Sequence, residues 1–276
     1  MRHCANGIMT AAVLLAAAAA SYASFEELEV GIAAQAMGGT GVVARGIGGI
    51  FWNPASVAGS TAPAVDVAGR LQWTDMDWKT IGLDGVYPLS ADWTAGASVR
   101  FFGGDLYSEQ TLALTAAGRL TKDMALGIQP VLCRAAIEDG VSSYGSGTAI
   151  AFNLGFQVTM YQRWMIAAAV RNPFQARIGD SGEYLQRKID AGISYEPAPG
   201  MVTAFALSRD FRGTRLHVGQ SLPVGGSLVL MAGAQNSPTG ITGGFSVELE
   251  GIVFQYAVQS HPELAPTHQA GVTYVF

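Results

Sequence analysis

Near the C-terminus, in "IVFQYAVQ" and "THQAGVTYVF", side-chain character alternates with a period of two. Ile252, Phe254, Tyr256 and Val258 share one face, against Val253, Gln255, Ala257 and Gln259. His268, Ala270, Val272, Tyr274 and Phe276 likewise stand against Gln269, Gly271, Thr273 and Val275. "AIAFNLGFQV" repeats the pattern, with Ile150, Phe152, Leu154, Phe156 and Val158 against Ala151, Asn153, Gly155 and Gln157. Period two is the strand period, and two chemically different faces imply two environments. In a soluble sandwich the bulky face is the core and the outer face carries charge. Here the second face is small or uncharged with isolated charges, and only 13% of residues are charged while 49% are hydrophobic. That combination fits a transmembrane barrel, with bulky residues toward lipid and the others toward a lumen.

Extending this reading along the chain gives an all-β antiparallel barrel of about fourteen strands, an even number as bacterial barrels require. The expected strands are 64–73, 79–88, 93–103, 109–120, 124–134, 147–159, 164–171, 186–195, 201–209, 214–222, 227–235, 240–249, 252–259 and 267–276. Short connections such as "SAD", "TKD" and "APG" alternate with longer ones such as "IEDGVSSYGS" and "NPFQARIGDSGEY". Short periplasmic turns and longer external loops put both termini on the periplasmic side. Trp93, Tyr161, Trp164 and Tyr195 mark an aromatic girdle at the short-turn end, and Tyr107, Tyr144 and Tyr184 one near the long loops.

Residues 1–23 read as a cleaved signal peptide: Arg2 and His3, an apolar core from Ile8 to Ala20, then Ser21-Tyr22-Ala23. The apolar run falls short of the ~20 residues a spanning helix needs. Cys4 leaves with it, so Cys133 alone remains and no disulfide framework is available. A net charge of −5 argues against nucleic acid as a partner.

Residues 24–62 cannot form a strand. Eight glycines fall between Gly31 and Gly59, and glycine weakens helices and strands alike. A barrel leaves an interior to fill, so this segment is expected to be a lumenal plug, followed by the barrel over 63–276. Gly38, Gly39 and Gly41 allow tight turns, Phe51 and Trp52 anchor it, and Asn53-Pro54 stops a short helical turn.

"AQAMGGTGVVARGIGGIFWNPASVAG" (34–59) resembles the N-terminal motif of the FadL and PorV/PorQ-like outer-membrane proteins. "SHPELAPTHQAGVTYVF" (260–276) resembles the end of the PorV/PorQ-like branch. The resemblance implies a fourteen-stranded barrel with an N-terminal hatch, held in outer-membrane lipid. It also implies insertion by the barrel-assembly machinery through a C-terminal strand signal that includes Tyr274 and Phe276. Its fatty-acid transporters are longer, with extended outer loops, and acidic residues are common where this chain has Arg45.

The pleat places Asp66, Arg70, Asp84, Arg100, Arg119, Lys188, Asp190, Arg215, His217 and Glu248 on the lumen face. They are expected to pair with one another and with the plug, because an unpaired charge in a dry interior is costly. The competing reading is a polar path or an anchor for an anionic head group. Pro130 removes a ladder donor from the fifth strand and should mark a bulge or kink; by the resemblance, such a kink is an exit through the wall. His261, Glu263 and His268 match no compact metal motif, and Pro262 and Pro266 point to a rigid turn, so neither metal nor cofactor is expected. Asp190, His217 and Ser221 have the side chains of a nucleophilic triad. However, Ser221 lies about 13 Å from His217 along one strand, so no enzyme is expected. Two functions remain: passive uptake of hydrophobic or amphipathic small molecules, or a non-transporting barrel that docks secreted proteins or a secretion complex.

Overall fold

The computed structural model describes residues 24–25, 30–74, 78–138, 142–180 and 182–276; the expected signal peptide lies outside these. The strands are β1 (Ala64–Gln72), β2 (Trp78–Pro88), β3 (Trp93–Gly103), β4 (Tyr107–Arg119), β5 (Met124–Glu138), β6 (Ser143–Met160) and β7 (Trp164–Arg171). They continue with β8 (Lys188–Ala198), β9 (Met201–Asp210), β10 (Gly213–Val224), β11 (Leu228–Asn236), β12 (Thr239–Leu249), β13 (Ile252–Gln259) and β14 (Thr267–Val275). Each pairs antiparallel with its sequence neighbours, and β1 also pairs with β14, from Ala64↔Val275 to Leu71↔His268. The sheet is a closed fourteen-stranded barrel, and closure leaves no unpaired edge to template aggregation.

The two faces divide as the alternation requires. On β4, Ala113 and Ala117 are fully buried while Leu112 and Leu114 are 44% and 55% exposed. Phe254, Val272 and Tyr274 lie on the outward face, and Ala257 and Gln269 on the buried one. An outward face this apolar suits lipid, so its tolerance of charge is testable. Phe254→Arg is expected to cost about 2–4 kcal/mol near the bilayer midplane and to impair assembly. Gln255→Arg should cost far less; equal heat-modifiability of the two variants would mean that the register Phe254↔Val272 is wrong.

The β5–β6 hairpin runs longer than the sequence suggests. Its Gly- and Ser-rich tip reads as loop, yet the ladder continues through Ala135↔Gly147, Ala136↔Ser146 and Ile137↔Gly145, with a register shift beside Glu138. Cross-strand pairing there overrides local propensity. Pro130 makes no such bulge. The β4–β5 ladder skips two pairs beside it and resumes with the same offset, Ala113↔Val131 then Ala116↔Ile128, and Pro130 stays opposite Phe152. The imino ring costs a donor without moving the register.

At the short-turn end Trp93, Tyr161 and Trp164 are exposed, and Trp164 stacks on Tyr195 with centroids 4.5 Å apart. The aromatic set expected at the other end divides. Tyr144 is exposed, but Tyr107 turns inward and donates to Glu109 Oε1 at 2.7 Å. Tyr184 belongs to the 172–187 loop, where its hydroxyl accepts from Arg177 Nε at 2.9 Å.

Candidate functional site

A helical turn, α1 (Ile32–Ala36), and three 3₁₀ turns, Gly41–Val43, Ile47–Gly49 and Pro54–Val57, precede β1. The sequence ends α1 with Gly38 and Gly39, both left-handed (φ +72° and +83°), and the Gly39 amide donates back to Ala34 O at 2.9 Å. This is the usual glycine solution for a helix C-terminus.

These turns pack against the small-residue face of the wall. A Cβ on Gly127 or Gly155 would collide with the Asn53-Pro54-Ala55 backbone or side chains, and one on Gly41 with the Trp52 indole. Small wall residues therefore permit the close approach. The uncharged polar residues of that face serve the segment's carbonyls. Gln129 Nε2 donates to Ile50 O at 3.3 Å, Gln157 Nε2 to Ala44 O at 2.8 Å and Thr242 Oγ1 to Ala36 O at 2.7 Å. His217 Nδ1 lies 2.6 Å from Gly38 O. A carbonyl only accepts, so Nδ1 carries the proton there.

Asn53 is fully buried and uses both ends of its amide. Its Oδ1 accepts from Ala55 N at 3.0 Å, and its Nδ2 donates to Val42 O at 2.9 Å and to Phe156 O of β6 at 3.2 Å. It ends the helical run that begins at Ile47, whose last bond is Asn53 N to Gly49 O at 2.9 Å, and its extended backbone also caps the start of the Pro54–Val57 turn, with Pro54 at the first position.

Phe51 and Trp52 each face a wall cation. Arg100 Cζ lies 4.8 Å from the Phe51 centroid, and Lys188 Nζ 5.5 Å from that of Trp52. Phe51 also packs among Ala113, Val131, Ala149 and Ala151, under Ile178 and Leu185 of the 172–187 loop.

The expected inward charges mostly form local groups. Arg100 makes a two-pronged pair with Asp84, Nη1–Oδ1 2.8 Å and Nη2–Oδ2 2.7 Å, both residues buried. Asp66 accepts from Thr273 Oγ1 at 2.5 Å. Asp190 lies 3.1 Å from Arg171 and 3.8 Å from Lys188, and Asp210 lies 3.3 Å from Arg212 and 2.5 Å from Arg215. Arg70 is buried. Two of the set sit at the short-turn end: Arg119, whose Nε is 3.7 Å from Asp92, and Glu248, which is exposed although it shares a pleat face with Thr242. Arg45 meets Glu196 at 3.4 Å.

His217, Ser221 and Asp190 have separate partners: Ser221 Oγ donates to Gly200 O at 2.7 Å, and no triad is assembled from them. His261 Nδ1 accepts the amides of Glu263 and Leu264, capping a turn, while His268 Nδ1 lies 2.5 Å from Tyr256 Oη.

Three spaces meet near the long-loop end, a feature the sequence did not disclose. A vestibule of about 320 Å³ is walled by Trp73, Trp78, Phe102 and His261 and floored by Arg70 and Arg212. Beneath it a chamber of about 50 Å³ shares Arg70, Arg212, Gln235 and Gln259 with the vestibule and reaches Trp52, Lys188, Arg215 and His217. On the lipid side lies an apolar groove of about 710 Å³ formed by Ile193, Phe205, Leu207, Leu216 and Val218, which touches His217 and Gln235. The wall is low at this place. The β11–β12 hairpin turns within two residues, and the β10–β11 ladder starts only at His217↔Gln235, so Gly213–Leu216 have no β11 partner in it.

The fold has close counterparts among solved structures. The toluene transporter TbuX of Ralstonia pickettii superposes with a TM-score of 0.71 at 13% identity, over 91% of this chain and 99% of that one. The CymD monoaromatic hydrocarbon channel gives 0.67 at 14%, over 92% and 99%, and the toluene transporter TodX of Pseudomonas putida 0.66 at 14%, over 91% and 98%. The fold is that of the monoaromatic hydrocarbon channels. No family profile matches the chain, and no curated protein matches it.

Proposed function

We propose that this chain is an outer-membrane barrel for passive uptake of hydrophobic or amphipathic small molecules, with residues 24–62 as a plug below the site. The observation that carries this reading is the meeting of the three spaces: a mouth at the long-loop end and a lipid-side groove both border Gln235 at the low β11–β12 hairpin. A molecule held in the vestibule reaches the groove by passing that hairpin, and the packed turns around Phe51 and Trp52 block the straight route. The likeness to barrels described as toluene transporters supports uptake over docking of secreted proteins. Pro130, far from this groove in the strand order, is not used as the exit. Residues 1–23 are removed on export, which places Ser24 at the mature N-terminus, as N-terminal sequencing will report.

Uptake is tested in cells whose outer membrane limits entry of a labelled hydrophobic ring compound. Expression of the chain should raise the initial rate, and Gly→Trp exchange at Gly240, on the low hairpin, should reverse the gain. A rate equal to that of cells without the barrel overturns the reading. Co-purification of a secreted protein in its place would favour docking.

A further inference from the structure

Charge caps the lipid-side groove at its outer end. Along β9, Phe205, Leu207 and Arg209 are exposed on the lipid side, while Ala204, Ala206, Ser208 and Asp210 are buried. Arg209 therefore continues the file of groove residues one pleat step beyond Leu207, beside the long β9–β10 loop. On the neighbouring strand Arg187 stands exposed just before β8, ahead of the buried Lys188. The register sets Ile189 opposite Arg209, so Arg187, two residues before Ile189, lies diagonally across from Arg209. Diagonal neighbours on one pleat face sit about 7–8 Å apart, within reach of long side chains.

Neither guanidinium has an ion-pair or hydrogen-bond partner among the described residues. The residues directly opposite Arg209, Ile189 on β8 and Thr214 on β10, are uncharged. The acids nearest in sequence, Asp190 and Asp210, are buried on the inner face and already meet other cations. Like charges at such a spacing repel one another, and an outward arginine is least costly at the edge of the apolar band. An anion supplied from the membrane side satisfies both side chains. Below the pair the groove is apolar, lined by Ala191 and Ile193 of β8, Phe205 and Leu207 of β9, and Leu216 and Val218 of β10. Two donors above an apolar channel describe the shape of one amphiphile.

We infer that the groove is a lipid site. It takes a phosphorylated, acylated glycolipid of the outer leaflet, with the phosphate on Arg187 and Arg209 and one acyl chain along Leu207 and Leu216. Arginine suits phosphate because its fork of N–H donors matches two oxygens. Lipid tails are as apolar as the groove lining, so the groove gives the chain a place and the two arginines give the selectivity. The inference goes beyond the uptake reading and does not depend on it; a chain lying in the groove occupies the exit described above and moves aside for a departing molecule. Arg134 supplies an internal control. It too is exposed on the lipid side without a partner among the described residues, but it stands on β5, four strands from β9, between the uncharged Gln110 and Thr148.

The test uses the full-length mature barrel in non-ionic detergent micelles, titrated with diphosphoryl lipid A. Native mass spectrometry reads the fraction of protein that carries one lipid, and saturable binding is expected. Arg187→Gln together with Arg209→Gln should weaken it about tenfold or more, the scale of a lost charge-assisted hydrogen bond. Arg134→Gln should leave it unchanged. Ala191→Trp, which fills the groove with an apolar side chain, should weaken it as well. Heat-modifiable migration shows that each variant is folded. Lipid A stripped of its phosphates should bind the parent as weakly as diphosphoryl lipid A binds the double variant, and inorganic pyrophosphate at equal concentration should not displace the lipid. Equal binding by parent and double variant, an equal loss from Arg134→Gln, undiminished binding to Ala191→Trp, equal binding of the stripped lipid, or displacement by pyrophosphate overturns the lipid site. So does the absence of any bound lipid A. The uptake rate in cells is a separate readout and stands or falls by itself.

Discussion

Deleting residues 34–59 is expected to leave a folded barrel that conducts. Every strand keeps two hydrogen-bonded neighbours after the deletion, because β1 closes on β14 without help from the segment. What disappears is the packing within the wall: Ile50 and Val57 against Val86 and Ala117, Val42 and Val43 against Ala167 and Ala204, and Phe51 against Val131 and Ala151. The wall residues left behind are alanines, glycines and small amides, so water fills the space they lined. Planar-bilayer recordings should show steps of raised conductance, and cells should become sensitive to small polar antibiotics. A gentler variant separates turn from bulk. Asn53→Ala removes the Nδ2 bonds to Val42 O and Phe156 O, leaving Val42 O only the longer bond from Gln157, and removes the cap on Ala55 N, at a cost of about 1–3 kcal/mol. It should produce flickering openings in an otherwise intact protein. A deletion variant that migrates as a folded barrel and conducts no better than the parent would show that this segment does not close the lumen.

The second large effect is expected at the Arg100–Asp84 pair. Both side chains are at most 2% exposed, and the guanidinium also covers the Phe51 ring. Asp84→Leu leaves a buried guanidinium without its carboxylate, and Arg100→Met leaves the carboxylate alone. Breaking a buried pair from either side typically costs about 3–5 kcal/mol. The double variant removes both charges and should recover most of the loss, short of the ~0.5–2 kcal/mol contributed by the cation over the aromatic ring. The temperature at which the heat-modifiable band shifts, measured for the parent, both single variants and the double, gives the coupling directly. Single variants as stable as the parent would mean that the pair is solvated and that the Phe51 contact is incidental.

The C-terminal strand shows why so much of the wall could be read in advance. In "THQAGVTYVF" every second residue meets lipid, and the others meet a crowded interior, so each environment leaves its mark on residue type at the strand's own period. The same logic located the other strands to within a few residues. It failed at the β5–β6 tip, where glycine and serine signal a loop but cross-strand pairing persists. At Pro130 the lost donor was legible and the consequence was not, because neighbouring ladder bonds on both sides hold the register.

The interior divides in the same way. That Asn53 and Pro54 end a helical turn is local chemistry and was visible in the sequence, but that the Asn53 amide ties this turn to Val42 O and to Phe156 O of β6 was not, because those carbonyls are remote in the chain. Inward charges could be placed on a face by counting residues. Their sorting into Arg100 with Asp84, Arg215 with Asp210, and Lys188 over Trp52 depended on strand stagger around a closed sheet. The vestibule, the chamber and the lipid-side groove carry no local signature at all, since Trp73, Arg212, His217 and Gln235 come from separate strands and loops. Alternation by itself determined a lipid-facing barrel, because burial against lipid acts on each residue singly. Only the tertiary structure decided the site, because a cavity is a property of residues that closure brings together.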